Sequence, residues 1–383
     1  MDVTFNESEE DYRQVVHQFA DKVLAPIVEK WEYRQPLSRE QVSELADHLG
    51  RYEIATTPPV AEDGRPDLTY LCIFIEEISR IDVGLATLAN ALFFQMWDMA
   101  SLVVTEQQKA RYSHMFDRGE MVSIAMSEPE AASNPKDIRT TARRTDEGWI
   151  VNGHKTWTSH AAIAAGIVVL ARKVDKAGEG DISLFMVANE PGCEVSTIET
   201  LGMDASTLCE VKLTNVRLPI EAELTPGSGG LKRGLSLVEQ ARFKVIFMAV
   251  AISQAALEKA VAYSKERKIG GRPIASFQLV QNLLAEMSTL TECSRLLGYR
   301  AVSLVKRGES ARAEISRAKA YATEAAVKVT SMGIEVQGAM GLTREVGAEK
   351  LFRDARMLTI PDGTTEIHQL VIGRALTGIS AFG

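Results

Sequence analysis

From Glu9 to Trp31 apolar residues recur every three or four positions, at Tyr12, Val15, Val16, Phe19, Val23, Ile27 and Trp31, and this spacing predicts an amphipathic helix. Ser38 stands three residues before Gln41 in the pattern of a capping box, which predicts the start of a second helix. The run Thr57-Pro58-Pro59-Val60-Ala61-Glu62-Asp63-Gly64-Arg65-Pro66 is broken by Pro and Gly and reads as a loop, placed to rim a ligand site. Helical spacing returns from Leu68 to Val104 and from Gln107 to Phe116, so residues 1–118 are expected to form a helical domain.

The pattern changes at Met121. Val122 to Met126, Trp149 to Val151, Gly166 to Leu170, Ile182 to Val187 and Val211 to Leu213 are short and rich in β-branched residues, and they predict strands. Asn152-Gly153 predicts a two-residue hairpin turn between Trp149-Ile150-Val151 and His154-Lys155-Thr156-Trp157. Residues 119–230 thus read as a small β domain, closed by the linker Pro226-Gly227-Ser228-Gly229-Gly230. Beyond it, Leu235 to Arg267, Ser276 to Lys306, Ser310 to Gln337 and a last helix after Gly363 predict an antiparallel bundle over residues 231–383. The fold expected is mainly α, with a β barrel or sheet inserted between an N-terminal helical domain and a C-terminal four-helix bundle. No GxGxxG and no P-loop occurs, which disfavours a Rossmann dinucleotide site and a nucleotide triphosphatase.

Composition narrows the partners. Of 383 residues 45% are hydrophobic and 25% charged, ordinary for a globular protein. A net charge of −8 argues against a general nucleic-acid binder. Cys72, Cys193, Cys209 and Cys293 are far apart and lack metal-ligand spacing, so reduced thiols and no metal are expected. The acidic N-terminus has neither a basic nor an apolar targeting region, and no stretch offers the ~20 uninterrupted apolar residues of a membrane span. The expectation is an unprocessed, cytoplasmic protein.

Chemistry is suggested first by Ile360-Pro361-Asp362-Gly363-Thr364-Thr365-Glu366-Ile367, where a carboxylate sits at a Pro/Gly break before a helix start. Thr364 and Thr365 can cap that helix, whose free N–H groups can receive an anion. Ser127-Glu128-Pro129-Glu130-Ala131-Ala132-Ser133-Asn134 follows a strand and can offer hydroxyl and backbone donors to a flat polar ligand, although such residues are also those of an ordinary surface loop. In Lys155-Thr156-Trp157-Thr158-Ser159 the aromatic is equally compatible with a core position.

Together these segments resemble the acyl-CoA dehydrogenase family over the whole chain, in element order and motif order. The Ser127–Asn134 loop resembles the family's TEPxAGSD loop and Lys155–Ser159 its KxWIT strand. Glu266-Arg267 through Phe277-Gln278, Gly338-Ala339-Met340-Gly341 and Arg353-Asp354-Ala355-Arg356 resemble three further family elements, and Asp362–Ile367 falls on its EGTxxI motif. The resemblance implies FAD-dependent α,β-dehydrogenation of an acyl-CoA thioester, with the Cα proton going to Asp362 and hydride going from Cβ to flavin N5. It implies electron-transfer flavoprotein as acceptor and a homotetramer. By likeness Ser127, Ser133, Trp157 and Ser159 line the flavin, Thr364 and Glu366 meet its adenosine portion, and Glu335 and Gly338 lie near FAD. Arg267 and Gln278 reach the FAD of a neighbouring subunit. Ser133, Arg242 and Gly363 are implied on the substrate side.

Departures from the family pattern bear on the substrate. Asp362 is one methylene shorter than the family's Glu, Ala241 removes the alternative base position beside Arg242, and Gly270, Glu335 and Asn134 replace the usual Phe, Gln and Asp. The shortened base, together with a Thr57–Asp67 loop that lacks the GG of the family's first substrate-side loop, points toward a cyclic, branched or dicarboxylic acyl group. Two other readings stand beside this one: a family member that binds acyl-CoA or flavin without turnover, and an enoyl-CoA reductase.

Overall fold

The computed structural model describes residues 5–30, 37–51, 60, 67–116, 120–131, 133–175, 178–188 and 190–381. Trp31, Phe382 and the Pro/Gly segment 57–66 apart from Val60 lie outside the described residues. The first apolar stripe folds as α1 (Glu7–Phe19), a π turn at Ala20–Leu24 and α2 (Ala25–Val28). Asn6 and Glu9 close a capping box at its start. Val16, Phe19, Ala20 and Leu24 are buried, whereas Val23 and Ile27 are half-buried; the π turn accompanies this shift of the buried face. Helix α3 (Arg39–Arg51) starts as expected, with Ser38 N donating to Gln41 Oε1 at 2.9 Å and Gln41 N to Ser38 Oγ at 3.2 Å. The stretch of helical spacing from Leu68 to Val104 folds as three helices, α4 (Leu68–Ile81), α5 (Val83–Phe93) and α6 (Gln95–Ala100), followed by α7 (Glu106–Tyr112). The first break falls at Asp82, whose carboxylate accepts from Leu85 N at 2.8 Å and so caps the next helix.

The β domain is a seven-stranded sheet of β1 (Val122–Ala125), β2 (Thr141–Arg144), β3 (Trp149–Ser159), β4 (Gly166–Asp175), β5 (Gly178–Val187), β6 (Cys193–Ile198) and β7 (Leu208–Leu218). Strands β1 and β2 lie along different parts of β4, both parallel to it, while β5 pairs with β4 antiparallel. The order continues from β2 through β3 and β7 to β6. Burial on both faces explains the unbroken apolar runs. On β4 and β5, Val168, Leu170, Leu184 and Met186 join the helical core, while Val169, Ala171, Phe185 and Val187 join a second core within the β domain.

The hairpin expected at Asn152-Gly153 does not form. Strand β3 runs straight through it, with a register shift against β7 between Val151 and Gly153. Asn152 Oδ1 accepts from Asn215 N at 2.8 Å, and Gly153 is required by close approach, since a Cβ there would lie 2.2 Å from Thr140 Oγ1. The pair marks a bulge, not a turn.

The C-terminal helices are α8 (Gly230–Glu266), α9 (Gln278–Lys306), α10 (Arg312–Gln337), α11 (Ala348–Met357) and α12 (Thr365–Thr377), with a small hairpin of β8 (Lys268–Ile269) and β9 (Arg272–Pro273) between α8 and α9. Helix α8 has 37 residues, spanning about 55 Å at 1.5 Å per residue. It is long and apolar enough to cross a membrane by composition, but 67% of its most apolar window is buried inside the protein. It packs against α4, α9, α10 and β5, and so runs beside all three domains.

Candidate active site

Between α11 and α12 the chain makes the turn that carries Asp362. Asp362 has φ +55° and Gly363 φ +107°, a left-handed pair in which the aspartate is a non-glycine residue in sparsely populated backbone space. Glycine is required at the second position on two counts, because a Cβ there would also stand 3.1 Å from His368 Nε2. Arg242 Nε, from α8, donates to Asp362 O at 3.0 Å. Lys319 Nζ, from α10, donates to Thr359 O at 3.0 Å and Gly363 O at 2.7 Å. Thr364 caps α12, and Thr365 Oγ1 donates to Glu324 Oε1 at 2.7 Å.

The backbone of the turn is thus tied down while the Asp362 carboxylate, half-buried, accepts no hydrogen bond among the described residues. Burial pushes its pKa up, and Lys244, Lys319 and Arg242, in that order, pull against the shift. Burial also pushes the Lys244 ammonium down against the attraction of Asp98 and Asp362. It brings Lys319 down to about 8 and, with Lys319 and Arg242 adding repulsion, brings the buried His368 imidazole down to about 3. Among the described residues neither ring nitrogen of His368 lies in good hydrogen-bond geometry, although the ring faces the backbone of Asp362 and Gly363. A carboxylate that is partly desolvated, accepts no hydrogen bond among the described residues and has cations nearby is chemically suited to take up a proton.

The second group of expected residues is assembled around a buried ion pair. Lys155 Nζ donates to Glu128 Oε1 at 2.7 Å, with both side chains inaccessible to solvent, and to Met126 O at 3.1 Å. Glu128 also accepts from Arg139 N at 2.6 Å and Thr140 N at 3.1 Å. Burial works against its charge, but Lys155 and these donors together hold the Glu128 carboxyl below its ordinary pKa. Thr156 N donates to Ser127 O at 2.9 Å, which fixes the hydroxyl-rich loop to β3. Immediately afterwards a bulge between Lys155 and Thr158 places Trp157 at φ +58° and leaves it 56% exposed. A large aromatic in left-handed backbone, turned outward beside the fixed loop, is not a core residue, and its open ring can receive a flat ligand. Ser127 and Ser159 are half-buried and Ser133 is exposed, so this donor set and the indole fit an isoalloxazine ring.

Other expected residues are not drawn into either group. Arg267 closes α8, Gln278 opens α9, and Glu335 and Gly338 end α10; all four are exposed on this chain. Leu279 beside Gln278 is 81% exposed and Leu342 beyond Gly338 is 72% exposed. Glu366 is exposed, and its hydrogen bond with Thr364 draws its carboxyl below its ordinary pKa.

A third feature holds the domains together at α11. Lys350 Nζ lies 2.7 Å from Asp82 Oδ2 in the N-terminal domain and 2.6 Å from Asp354 Oδ2. Asp354 Oδ1 accepts from Met203 N at 2.6 Å, and Arg353 donates to Leu201 O at 2.8 Å, so the β domain is held as well. Helix α11 ends just before the Asp362 turn, and its docking therefore helps place the carboxylate. Sequence reading missed Lys244, Lys319, His368 and the Lys350–Asp82 contact. Only Lys350 and Asp354 carried a signal, their spacing of four on one helix.

Residues 6–120 match the description "Acyl-CoA dehydrogenase, N-terminal domain", residues 123–216 "Acyl-CoA dehydrogenase, middle domain" and residues 228–377 "Acyl-CoA dehydrogenase, C-terminal domain". The chain is 31% identical over 375 residues to the 3-(aryl)acrylate reductase of Clostridium sporogenes, covering 97% of this chain and 99% of the relative. It is 31% identical over 376 residues to the mitochondrial short/branched chain specific acyl-CoA dehydrogenase of Bos taurus, covering 98% and 87%. The crystal structure of glutaryl-CoA dehydrogenase from Mycobacterium smegmatis superposes with a TM-score of 0.87 at 28% identity, covering 99% of this chain and 97% of that one. With three domain matches that together span most of its length and near-complete overlap with these relatives, the chain belongs to the FAD-dependent acyl-CoA dehydrogenase family.

Proposed function

We propose that this protein oxidises the Cα–Cβ bond of an acyl-CoA thioester, with Asp362 taking the Cα proton. The observation that carries the reading is the Asp362 carboxylate itself: held by its backbone, accepting no hydrogen bond among the described residues, and set among Lys244, Lys319 and Arg242. Its raised pKa brings the base closer to the weakly acidic Cα–H, while the cations limit that rise. Bound FAD supplies the two-electron redox chemistry. The chain would hold it with Ser127, Ser133, Trp157 and Ser159, with Thr364 and Glu366 on the adenosine side. Arg267, Gln278, Glu335 and Gly338 would serve a neighbouring subunit's cofactor; their outward placement beside exposed Leu279 and Leu342 supports a homotetramer. Ser133, Arg242 and Gly363 would face the thioester.

Asp362, one methylene shorter than glutamate, favours an acyl group that sets its Cα closer to the turn, as a cyclic, branched or dicarboxylic chain can. Electron-transfer flavoprotein is the proposed acceptor. The test is to mix the FAD-loaded protein anaerobically with a panel of acyl-CoA thioesters and follow flavin bleaching. Rapid bleaching by at least one bulky or dicarboxylic thioester is expected; no bleaching by any of them sinks the reading. The 31% identity to a protein named 3-(aryl)acrylate reductase favours a second reading, the reductive direction. Under it, the photoreduced protein is reoxidised by an enoyl substrate much faster than the oxidised protein is bleached by the saturated one.

A further inference from the structure

Lys319 is fully buried on α10, yet among the described residues its ammonium meets no carboxylate within ion-pair distance; it donates to the carbonyls of Thr359 and Gly363. These two residues are the ends of the segment whose penultimate residue is Asp362. From α8, Arg242 holds the carbonyl between them, that of Asp362. The segment's own amides at Thr359 and Ile360 run back into α11 over 3.4 Å each, and no main-chain hydrogen bond spans Thr359 to Gly363 among the described residues. What closes this turn is therefore a pair of cations from two other helices. A buried ammonium is costly, and a methionine of similar length would fill the same space without desolvation, so the lysine is there for its N–H groups.

We propose that Lys319 is a positioning residue for proton abstraction: its ammonium ties the two ends of the 359–363 turn together and so fixes where the Asp362 carboxylate stands. This rests on the reading of Asp362 as the base. The clamp is also titratable. Burial and the neighbouring Arg242 hold Lys319 down to about 8, against Asp362, Glu324 of the same helix and Glu366 of α12, with the neutral His368 ring of α12 also close by. Above that pH the side chain loses its charge and one N–H, and the turn loosens.

The test uses an acyl-CoA with sulfur in place of Cβ, which has no Cβ–H to give as hydride. Exchange of its Cα hydrogens into D₂O then reads proton abstraction alone. Wild type should show an alkaline fall in exchange near pH 8. Lys319→Met should keep FAD and bind the thioester within about 3-fold, exchange on the order of 10²-fold more slowly, and lack the fall near pH 8. Lys319→Arg, which stays charged, should regain part of the rate and also lack that fall. A wild-type profile flat through pH 8, or Lys319→Met exchanging within about 3-fold of wild type, overturns the proposal. If Lys319→Met does not fold, Lys319→Gln, which is too short to tie both carbonyls, takes its place, and exchange there within about 3-fold of wild type overturns the proposal. Asp362→Asn separates the two readings: wild-type exchange in that variant removes Asp362 as the base, whereas lost exchange there with normal exchange in Lys319→Met removes only the clamp.

Discussion

Two clusters of buried charge lie only a few residues apart along the chain, one at the foot of α11 and one in the turn after it, and they are built on opposite principles. At the junction, burial disfavours the Lys350 ammonium and pushes the Asp354 carboxyl up, but both Asp82 and Asp354 are paired with the lysine, and together they outweigh burial there and hold its pKa well above the ordinary value. In the Asp362 turn the balance runs the other way: Asp362 is pushed up, Lys319 and His368 down, so each group is held where its charged form is disfavoured. Cations there spend their hydrogen bonds on carbonyls and leave the carboxylate open. A cluster that satisfies its charges holds domains together; one that leaves a carboxylate unsatisfied is available for chemistry.

The largest effect should come from breaking the second cluster at its centre. Asp362→Asn is expected to slow flavin reduction by acyl-CoA roughly 10⁴-fold, about 5.4 kcal/mol of barrier, without lowering the unfolding free energy. A raised carboxylate pKa costs stability above that pKa, so at pH 7 the amide should if anything stabilise the fold. Stopped-flow reduction alongside urea unfolding checks both halves; a strongly destabilised variant would erase the contrast between the clusters.

Lys350→Met should do the reverse. It leaves Asp82 and Asp354 buried without their shared cation, at a cost of about 3–5 kcal/mol in urea unfolding. Because the Lys350 pKa is raised, the stability it lends is fully present below the ordinary lysine pKa and is lost only as pH rises through the folded value. A variant as stable as wild type at pH 7 would mean the junction is held by packing alone.

A smaller and graded effect belongs to His368. Its folded pKa of about 3 lies below the ordinary 6.5, so the unfolded chain takes up the proton first as pH falls. Stability should therefore decline below pH 6.5 by about 1.4 kcal/mol per pH unit from this group, and His368→Leu should flatten that slope. An unchanged slope in the variant would place the acid sensitivity elsewhere, with the buried His160, brought down to about 4 by burial, as the other source.

The sequence was most legible where an element buries one face or both. Helical spacing located the N-terminal helices and the bundle, and apolar runs located β4 and β5. Strand β6 was missed because Cys193–Ile198 is exposed or half-buried throughout and carries no apolar run. Asn152-Gly153 misled because a bulge and a hairpin call for the same residues, and what decided between them was Thr140, outside the strand. In the site, Asp362 announced itself through its Pro/Gly turn. Lys319 did not, since a lysine in the alanine-rich α10 reads as a solvated charge until Thr359 and Gly363 are folded onto it. Lys350 and Asp82 are separated by most of the chain, and no local pattern joins them.

The grip on the turn also bears on how such a protein can diverge in the course of descent. Arg242 and Lys319 make their hydrogen bonds to carbonyl oxygens, which nearly every residue presents alike, so those bonds do not depend on the length of the side chain at position 362. Aspartate and glutamate can therefore be exchanged there by a single-codon change without undoing the scaffold, lengthening or shortening the reach of the base by one methylene. A lineage can sample new acyl shapes at that position while everything that holds it is inherited intact.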